Sequence, residues 1–440
     1  MTVVPFGVTP KMKPVSPRRQ AVVAALDVGT SKIACLIARL KPQAPQEVLR
    51  RRSHGVEVLG FGHVAARGMK GGTVIDLAAA EEAIRHAIDL AEQMAQVQLE
   101  SVVISLSGGR LGSELFNAAI ELRGPSVNDG DIARVLAAAS QHSVRNGRAV
   151  LHSLPVGYSL DGSAGIRDPR GMLGRHFGVD MHMVTADVAA ARNLMLTVER
   201  SHIDIEAMVS SPYVAGLAAL ADDEADLGAA TIDMGAGTTS IAVFSGGRFI
   251  HADGFALGGR HVTMDLARGL NARIADAERI KTFYGSVLTS GSDERDMITV
   301  PPVGDDEREP PQFVSRETLV RIIKPRVEEI LEMVRDRLAA SPFAAEPRAR
   351  VILTGGASQL TGLADLAARI LRRSVRIGRP LGIAGLPDAA KGSAFAVAAG
   401  LLVYPQAAHL EHFEPRRTRQ LMTGTGGYFA RVGRWLRESF

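Results

Sequence analysis

The chain has 440 residues and a mass of 46.7 kDa, and 46% of its residues are hydrophobic while 22% are charged. This length predicts more than one domain, and this composition excludes collagen-like, mucin-like and wholly disordered classes of protein. The single cysteine, Cys35, excludes an internal disulfide and a cysteine-based metal cluster, so the sequence predicts a cytoplasmic protein.

The formal net charge of +4 is unevenly distributed. Residues 1–20 carry four basic residues and no acid, and residues 415–440 carry six arginines and one glutamate, which leaves the body between them acidic. Basic ends on an acidic body favour an anionic partner that meets one end of the chain, either a membrane surface or a nucleic acid. The sequence predicts no signal peptide and no transmembrane helix, because its longest apolar run, 394–404, is about half of the roughly 20 residues required.

The first predicted elements follow a proline-rich leader. Residues 1–20 are predicted to be disordered, because four prolines and four basic residues leave little apolar surface to bury. Residues 21–40 form two apolar runs around Asp27-Val-Gly-Thr, which predicts a β-hairpin. Apolar residues at helical spacing predict a helix over 76–96 with Asp76 as its N-cap.

The middle of the chain changes in character after a predicted strand at 101–108. Over residues 107–180, short strand and helix patterns lie among scattered glycines and prolines. This pattern indicates a module inserted into the first domain.

Strands and helices alternate again after the inserted module. The pattern predicts, in chain order, a helix at 187–200, a hairpin at 231–244, helices at 263–270 and 276–284, a long helix at 315–340, a strand at 350–354 and a helix from about 360. Asp276 is the predicted N-cap of one helix and Gly285 its stop, whereas Pro325 predicts a kink or break in the long helix. Residues 289–312 are predicted to be a solvated loop.

The strongest signal is a repeated turn, because Asp27-Val-Gly-Thr-Ser and Asp233-Met-Gly-Ala-Gly-Thr-Thr each join two apolar runs. Two copies predict two similar lobes. A triphosphate bound between lobes needs close backbone N–H groups, hydroxyls, and carboxylates that hold Mg²⁺, usually through water. The turns supply Asp27, Gly29, Thr30, Ser31, Asp233, Gly235, Gly237, Thr238 and Thr239, with Asp27 and Asp233 as the metal-binding pair. For one copy alone, the alternative is that Asp-x-Gly is simply a good turn sequence.

Three further residue groups extend the predicted nucleotide site. Lys32 would add a cation unless the alternation of the strand directs it away. A third turn, Leu353-Thr-Gly-Gly, places Gly355 and Gly356 where they could pass flat against an adenine ring. Glu278 and Lys281 lie three residues apart on one helix face and could reach ribose hydroxyls, although a surface ion pair is the alternative.

The last fourteen residues, 427–440, are patterned as an amphipathic helix. Its apolar stripe spans about 140° at the 100° per residue of a helix, and its arginines lie opposite. Such a helix lies in a membrane interface with its apolar face down. The predicted membrane-binding residues are Tyr428, Phe429, Val432, Trp435, Leu436, Phe440, Arg431, Arg434 and Arg437. The alternative is a terminal helix that docks on the protein's own body.

The order of these motifs resembles the actin superfamily, which includes actins, chaperone ATPases and sugar kinases. Three stretches resemble more narrowly the FtsA family of bacterial cell-division proteins: Arg67-Gly-Met-Lys-Gly-Gly, Val351-Ile-Leu-Thr-Gly-Gly-Ala-Ser-Gln-Leu and Val375-Arg-Ile-Gly-Arg-Pro. The resemblance implies an α/β protein with an actin-like ATPase fold of two RNase H-like lobes, an inserted small subdomain and a C-terminal amphipathic helix.

The expected division of the chain follows from this resemblance. The leader is 1–20; the first lobe is 21–106, 181–201 and 376–404, with 107–180 inserted; the second lobe is 202–257 and 319–375, with 258–318 as its small subdomain; the linker is 405–426 and the helix 427–440.

The resemblance implies ATP and Mg²⁺ in the cleft, polymerisation on the cytoplasmic face of the inner membrane, and attachment of the FtsZ ring at the division septum. FtsZ would bind the 258–318 subdomain, later division proteins would bind the inserted subdomain, and no nucleic acid is expected. Two other interpretations remain open at this point, namely an actin-fold pilus-assembly adaptor and an actin-fold kinase of a small metabolite.

Hydrolysis of ATP requires a polar side chain near the attacking water, usually on the helix that joins the lobes. The sequence at 187–193 is mostly alanine, so Asp187 and Asn193 are the candidate catalytic residues. The alternative for both is helix capping or surface polarity. The expectation is at most a slow ATPase.

Overall fold

The structure is a computed structural model that describes residues 9–44, 49, 52–291, 293–302 and 310–411. Its first elements are β1 (Ala21–Val28), β2 (Lys32–Pro42), β3 (His54–Ala65), β4 (Met69–Lys70), β5 (Thr73–Val74), α1 (Leu77–Ala95) and β6 (Ser101–Leu106). The predicted hairpin is confirmed, since β1 and β2 pair antiparallel with Val28 opposite Ile33 at the turn. The predicted N-cap is also confirmed, because the Asp76 carboxylate accepts a hydrogen bond from the Ala79 N–H at 3.1 Å.

The next segment forms a separate small subdomain with its own sheet. Its elements are β7 (Gly112–Glu121), α2 (Asp129–Ala139), β8 (Arg148–Leu160), β9 (Ser163–Ile166) and β10 (His176–Asp187). The strands follow the order β7-β10-β8-β9, and α2 packs on β7 and β10 around an apolar cluster that includes Val135 and Phe177. An inserted subdomain is therefore present, as the change in sequence pattern indicates.

The chain crosses to the second lobe later than predicted. The elements of this part are α3 (Val188–Arg200), β11 (Asp204–Ser210), α4 (Ser211–Ala219) and α5 (Asp222–Leu227). β11 pairs parallel with β6, so residues 204–210 belong to the sheet of the first lobe rather than to a second lobe beginning at 202. The reason is that the buried end of β11 extends this sheet before the chain leaves it through α4.

The second lobe repeats the plan of the first. Its elements are β12 (Ala229–Met234), β13 (Thr239–Ser245), β14 (Arg248–Phe255), α6 (Gly259–Gly269), α7 (Ile274–Tyr284), β15 (Met297–Val300), β16 (Gln312–Ser315), α8 (Arg316–Ala339), β17 (Arg350–Thr354), α9 (Leu363–Leu371) and β18 (Val375–Ile377). The sheet order is β14-β13-β12-β17-β18, and β12 and β13 form the second predicted hairpin. Because β18 pairs with β17, this lobe extends to 377 rather than to the predicted 375.

Three local predictions in the second lobe are wrong or only partly right. α7 begins at Ile274, so Asp276 lies in its first turn rather than at the N-cap, although the helix stops at Gly285 as predicted. The predicted loop at 289–312 contains β15 and the start of β16, because Ile298 and Val300 bury their side chains in the lobe's core.

The third local difference is the continuity of α8. This helix runs as one element from Arg316 to Ala339 and contains Pro325. Proline removes one helical hydrogen bond and usually breaks a helix. Here the residues on both sides of it, Ile323 and Val327, are buried in the same core, so tertiary packing outweighs that local cost.

The chain returns to the first lobe through its last described elements, β19 (Ile383–Ala384) and α10 (Ala396–Ala407). The first sheet then reads β11-β6-β1-β2-β3-β19, with α1 on β2 and β3 and with α10 on β1 and β2. Short 3-10 turns cover Pro342–Ala345, Gly356–Gln359, Asp388–Ala390, Ser393–Phe395 and Ala408–Leu410. The stretch Ser393–Leu410 is long and apolar enough to cross a membrane, but 83% of it is buried, as in a core helix packed against α4.

The prediction of a disordered leader is wrong for residues 9–20. Thr9 is 3% exposed and its hydroxyl donates to the Val150 carbonyl of β8. Backbone hydrogen bonds join Val15 N–H to the Pro405 carbonyl at 3.3 Å and Met208 N–H to the Pro10 carbonyl at 3.2 Å. The prediction treated prolines as a sign of disorder, whereas an extended proline-rich segment can pack along a preformed groove without helix or strand structure.

Candidate functional site

A cavity of about 830 Å³ lies between the two lobes and is lined by residues of both sheets and of α6, α7 and α8. This volume is within the usual range for a small-molecule site. Twelve of the predicted cofactor-binding residues line it: Asp27, Gly29, Thr30, Ser31, Lys32, Asp233, Gly235, Thr238, Glu278, Lys281, Gly355 and Gly356. The fold therefore brings the three glycine turns together, although they lie far apart in sequence.

Two carboxylates form the charged centre of the cleft. Asp27 is the next-to-last residue of β1 and accepts a hydrogen bond from the Ser105 hydroxyl at 2.7 Å. Asp233 lies in β12 and is 6% exposed; burial, and then the charge of Asp27, raise the pKa of Asp233 to about 7. Burial also raises the pKa of Asp27. Two carboxylates that disfavour each other's charge in a dry cleft are stabilised by a bound cation.

These carboxylates suit Mg²⁺ held largely through water. Magnesium in nucleotide sites usually binds one or two carboxylates and the phosphates while keeping several waters. Among the residues that the structure describes, no group of three or more His, Cys, Asp or Glu side chains could enclose a metal ion by itself. The donor set therefore fits a metal that arrives with a phosphate ligand better than a resident metal cage.

Lys32 lies in the cleft rather than away from it, so the alternative drawn from strand alternation is wrong. Its ammonium donates to the Ala394 carbonyl and lies 4.1 Å from the centroid of the Phe395 ring. Burial lowers the pKa of Lys32, while the charges of Asp27 and Asp233 oppose that shift. Lys32 therefore supplies a positive charge that interacts with both carboxylates.

Glycine is required at two points where the turns meet. A Cβ on Gly237 would lie 2.5 Å from the Thr30 Oγ1 of the other lobe, and a Cβ on Gly355 would lie 2.6 Å from Asp233 Oδ1. Gly355 also has a φ of +83°, which side chains other than glycine rarely adopt. Backbone N–H groups at these turns can therefore approach a phosphate closely.

Two predicted cofactor-binding residues do not line the cavity. Gly237 supports the first turn through its contact with Thr30, and Thr239 is fully buried with its hydroxyl donating to the Leu257 carbonyl at 2.8 Å. Gly72 holds Thr30 from the other side, since its N–H donates to the Thr30 hydroxyl oxygen at 3.0 Å. Gly72 belongs to the Arg67-Gly-Met-Lys-Gly-Gly stretch, so this motif supports the first glycine turn.

The pair Glu278 and Lys281 forms an ion pair that lines the cleft. Lys281 Nζ lies 2.8 Å from the Glu278 carboxylate, and both residues line the cleft. Thr263 links them, because its hydroxyl donates to Glu278 and accepts from Lys281 at 2.8 Å. Contact of this pair with ribose hydroxyls stays a prediction.

The two candidate catalytic residues do not line the cleft. Asp187 ends β10 and is bound at 2.8 Å by Arg148, while Asn193 lies exposed on α3. The prediction assumed that the helix at 187–200 joins the lobes, but that helix stays on the first lobe beside α1 and β11. Asp187 occupies the N-cap position of α3 without a capping hydrogen bond, and Asn193 is exposed, so surface polarity agrees better with their positions.

The helix that does join the lobes is α4, and sequence reasoning missed its first residue. Ser211 lines the cleft, is 1% exposed, and its hydroxyl has no hydrogen-bond partner among the described residues. The signal was present as Ser-Ser-Pro directly after an apolar strand, because proline favours the first turn of a helix. Ser107 and Arg260 also line the cleft without having been predicted.

All nine predicted membrane-binding residues, which lie between Tyr428 and Phe440, are outside the described residues.

Comparison with known proteins identifies the family. A family model described as "Cell division protein FtsA" matches residues 230–400, and one described as "SHS2 domain inserted in FTSA" matches residues 108–185. The cell-division protein FtsA of Agrobacterium fabrum is 53% identical over 436 residues, which cover 99% of this chain and 98% of that protein. The chain belongs to the FtsA family of cell-division proteins. The FtsA of Escherichia coli strain K12 is 32% identical over 425 residues, which cover 95% of this chain and 98% of that protein.

Solved structures confirm the predicted actin-like fold. A chain of the PilM-PilN type IV pilus biogenesis complex matches with a TM-score of 0.58 at 17% identity, covering 87% of this chain and 98% of that one. MreB 5 of Spiroplasma citri bound to AMPPNP matches with a TM-score of 0.53 at 14% identity, covering 89% and 97%. At such identities the likeness shows the fold alone, so it does not favour the pilus adaptor over FtsA.

Proposed function

We propose that this member of the FtsA family binds ATP with Mg²⁺ in the cleft between its lobes. The observation that carries the proposal is the pair of buried carboxylates, Asp27 and Asp233, in a cavity lined by three glycine turns. The charge of Asp27 helps to raise the pKa of Asp233 there. When bound, Mg²⁺ would neutralise phosphate charge. Asp27 and Asp233 would hold its water shell, the turns at Gly29 and Gly235 would bind the phosphates, and Glu278 with Lys281 would bind the ribose.

Turnover of ATP is proposed to be slow at most. The Ser211 hydroxyl, at the start of the helix that joins the lobes, would be a weak base for an attacking water compared with a carboxylate or histidine. ATP binding would therefore act mainly as a switch that closes the lobes and permits polymerisation.

The cellular role that we propose is to polymerise on the cytoplasmic face of the inner membrane and to attach the FtsZ ring there, with later division proteins recruited through the inserted subdomain. Membership of the FtsA family supports this role. The 258–318 subdomain supports it further, because large apolar side chains there are exposed: Phe283 at 73%, Met297 at 56% and Phe313 at 60%. Exposed apolar groups gathered on one small unit favour a protein-binding surface.

The nucleotide proposal is tested with Asp233→Asn in the full chain. The amide keeps the shape of the carboxylate but removes the charge that would hold Mg²⁺, so we expect affinity for Mg²⁺–ATP to fall at least about tenfold. Isothermal titration calorimetry measures the affinity, and electron microscopy on a lipid monolayer with ATP should show filaments only for the parent protein. Asp336→Asn is the matched control, because Asp336 is a 70% exposed carboxylate of the same lobe outside the cleft. Equal affinities for the parent and Asp233→Asn would reject the proposed cleft.

A further inference from the structure

A chain of buried hydrogen bonds connects the start of α4 with both ends of the described chain. The Ser210 N–H donates to His152 Nε2 at 2.9 Å, and His152 Nδ1 lies 2.8 Å from Glu411 Oε1. His152 is on β8 of the inserted subdomain and is fully buried, and Glu411 is the last described residue. Three distant parts of the sequence therefore share one polar path.

The path fixes the tautomer of His152. A backbone N–H can only donate, so Nε2 of His152 must accept and carries no proton. The ring proton is then on Nδ1, where it is donated to the Glu411 carboxylate. Burial lowers the pKa of His152, which keeps the ring neutral and this arrangement intact. Each end of the path therefore depends on the same imidazole orientation.

Two further polar side chains contact Glu411 at its end of the path. Its carboxylate accepts a hydrogen bond from the Tyr404 hydroxyl at 2.8 Å, and Lys11 Nζ of the N-terminal segment lies 3.7 Å from Glu411 Oε2. Burial alone would raise the pKa of Glu411, but the nearby positive charge and the two hydrogen bonds hold it below its usual range. Removal of one partner from such a buried cluster leaves the others unsatisfied, so the cluster is held or released as a unit.

The opposite end of the path reaches the nucleotide cleft. Ser210 is the N-cap of α4, and the next residue, Ser211, places its unpartnered hydroxyl in the cleft. His152 also packs edge-on against the Tyr213 ring, with centroids 5.0 Å apart and an interplanar angle of 72°. A movement of His152 would therefore shift both the first turn of α4 and the groups that it presents to a phosphate.

We propose that His152 is a positioning residue which couples occupancy of the cleft to the seating of two terminal segments, 9–20 and 404–411. The proposal rests on the proposed function that the cleft binds ATP. When ATP draws the first turn of α4 toward its phosphates, the Ser210–His152–Glu411 path tightens and holds both segments against the body. Coupling between two sites is reciprocal. The factor by which bound ATP favours the seated segments is therefore also the factor by which release of the segments weakens ATP binding.

Hydrogen–deuterium exchange of the full parent chain, with and without Mg²⁺–ATP, provides the first test and needs no variant. We expect ATP to slow exchange in segments 9–20 and 404–411 as well as in the turns that bind it. Protection of the turns with unchanged exchange in both segments would overturn the coupling while leaving ATP binding intact. Absence of any ATP-dependent change, including in the turns, would reject the proposed function itself.

Variants at His152 provide the second test. His152→Phe keeps an aromatic ring but removes both hydrogen bonds, so we expect the response of the two segments to ATP to be lost and ATP affinity to fall at least about fivefold. His152→Gln can both donate and accept, and we expect it to restore part of the response. His176→Phe makes the same replacement at a histidine that is 70% exposed and lies outside the path, so it should respond like the parent. A full response in His152→Phe, with the variant folded and binding ATP, would overturn the proposal.

Discussion

His182 shows how a single buried side chain joins the inserted subdomain to the second lobe. It is fully buried on β10, and its Nδ1 donates to the Phe249 carbonyl of β14 at 2.9 Å. The Ser113 hydroxyl forms a hydrogen bond with Nε2 of His182 and also accepts one from the Ala252 N–H at 3.0 Å. These partners can be satisfied by a neutral ring, and burial lowers the pKa of His182 to about 3.

This pKa makes the protein less stable in mild acid. A histidine titrates near pH 6.5 when unfolded, whereas His182 titrates at about 3 when folded. Between these values the unfolded state binds more protons, so the free energy of unfolding falls as pH falls, by at most about 1.4 kcal/mol per pH unit from this one group. The lowered pKa values of His152 and His251 act in the same direction.

The pH prediction is tested with His182→Gln, whose amide can keep hydrogen bonds without gaining charge. We expect its urea unfolding midpoint to fall less steeply between pH 7 and pH 5 than that of the parent, although it starts lower at pH 7. His176→Gln removes a histidine whose side chain is 70% exposed and serves as the control. The same pH slope in His182→Gln and in the parent would contradict the assignment.

Residues that line the cleft were predictable where the sequence pattern is local. Asp27 and Asp233 are each followed by a glycine turn, and the turn alone brings a carboxylate to the end of a strand. Ser211 and His152 were not predictable in this way. Ser211 matters only because α4 is the helix that crosses between lobes, and His152 only because β8 passes beside both α4 and Glu411.

At the scale of elements, prediction succeeded where a local pattern is long and failed where distant packing decides. The helix at 76–96 was correct because its apolar spacing and its Asp76 cap are both local features. The hairpin of β15 and β16 was missed because each strand has four residues and its inward side chains are recognised only by the core they enter. The long helix at 315–340 was predicted correctly, and packing on both sides of Pro325 explains why the helix has no break there.

The segment 427–440 carries the membrane prediction, and its apolar face and its charge can be separated. Trp435 and Leu436 lie on the predicted apolar stripe, so Trp435→Ala with Leu436→Ala removes apolar area without changing net charge. Deep burial of each such side chain contributes roughly 1.5 to 3 kcal/mol. We therefore expect binding of the full chain to anionic liposomes to weaken by at least about tenfold, measured by co-sedimentation.

Charge on the polar face provides the comparison for the membrane prediction. Glu438→Gln raises the net charge and leaves the apolar stripe unchanged, so this variant should sediment at least as well as the parent. Deletion of 427–440 should abolish sedimentation. A truncated protein that still sediments with anionic liposomes would show that another surface of the protein holds the membrane.

At the scale of the whole molecule, the two-lobed fold places three candidate functional regions in different parts of the protein. The cleft lies between the lobes, the segments 9–20 and 404–411 meet beside β8, and the exposed apolar side chains of 258–318 lie on the second lobe's small subdomain. The apolar core of the first lobe continues onto one face of the second lobe's sheet, at Ala242, Phe244 and Ile352, while a second core covers the opposite face of that sheet. Local sequence patterns predict the individual strands, turns and helices. How the two lobes are placed relative to each other depends on where the chain passes between them, at α4 and before α10.

The small subdomain gives the last prediction, which concerns FtsZ. Phe283 and Phe313 are 73% and 60% exposed, and replacing both with serine should preserve folding because neither contributes to the buried core. If these side chains contact FtsZ, the double variant should lose at least about tenfold in affinity, because apolar anchors usually dominate an interface. Leu227→Ser is the matched control, since Leu227 is 79% exposed on α5, outside the subdomain. Co-sedimentation with FtsZ polymers measures binding, and ATP affinity should be the same in all three proteins. Equal FtsZ binding by the double variant and the parent would place the FtsZ contact elsewhere on the molecule.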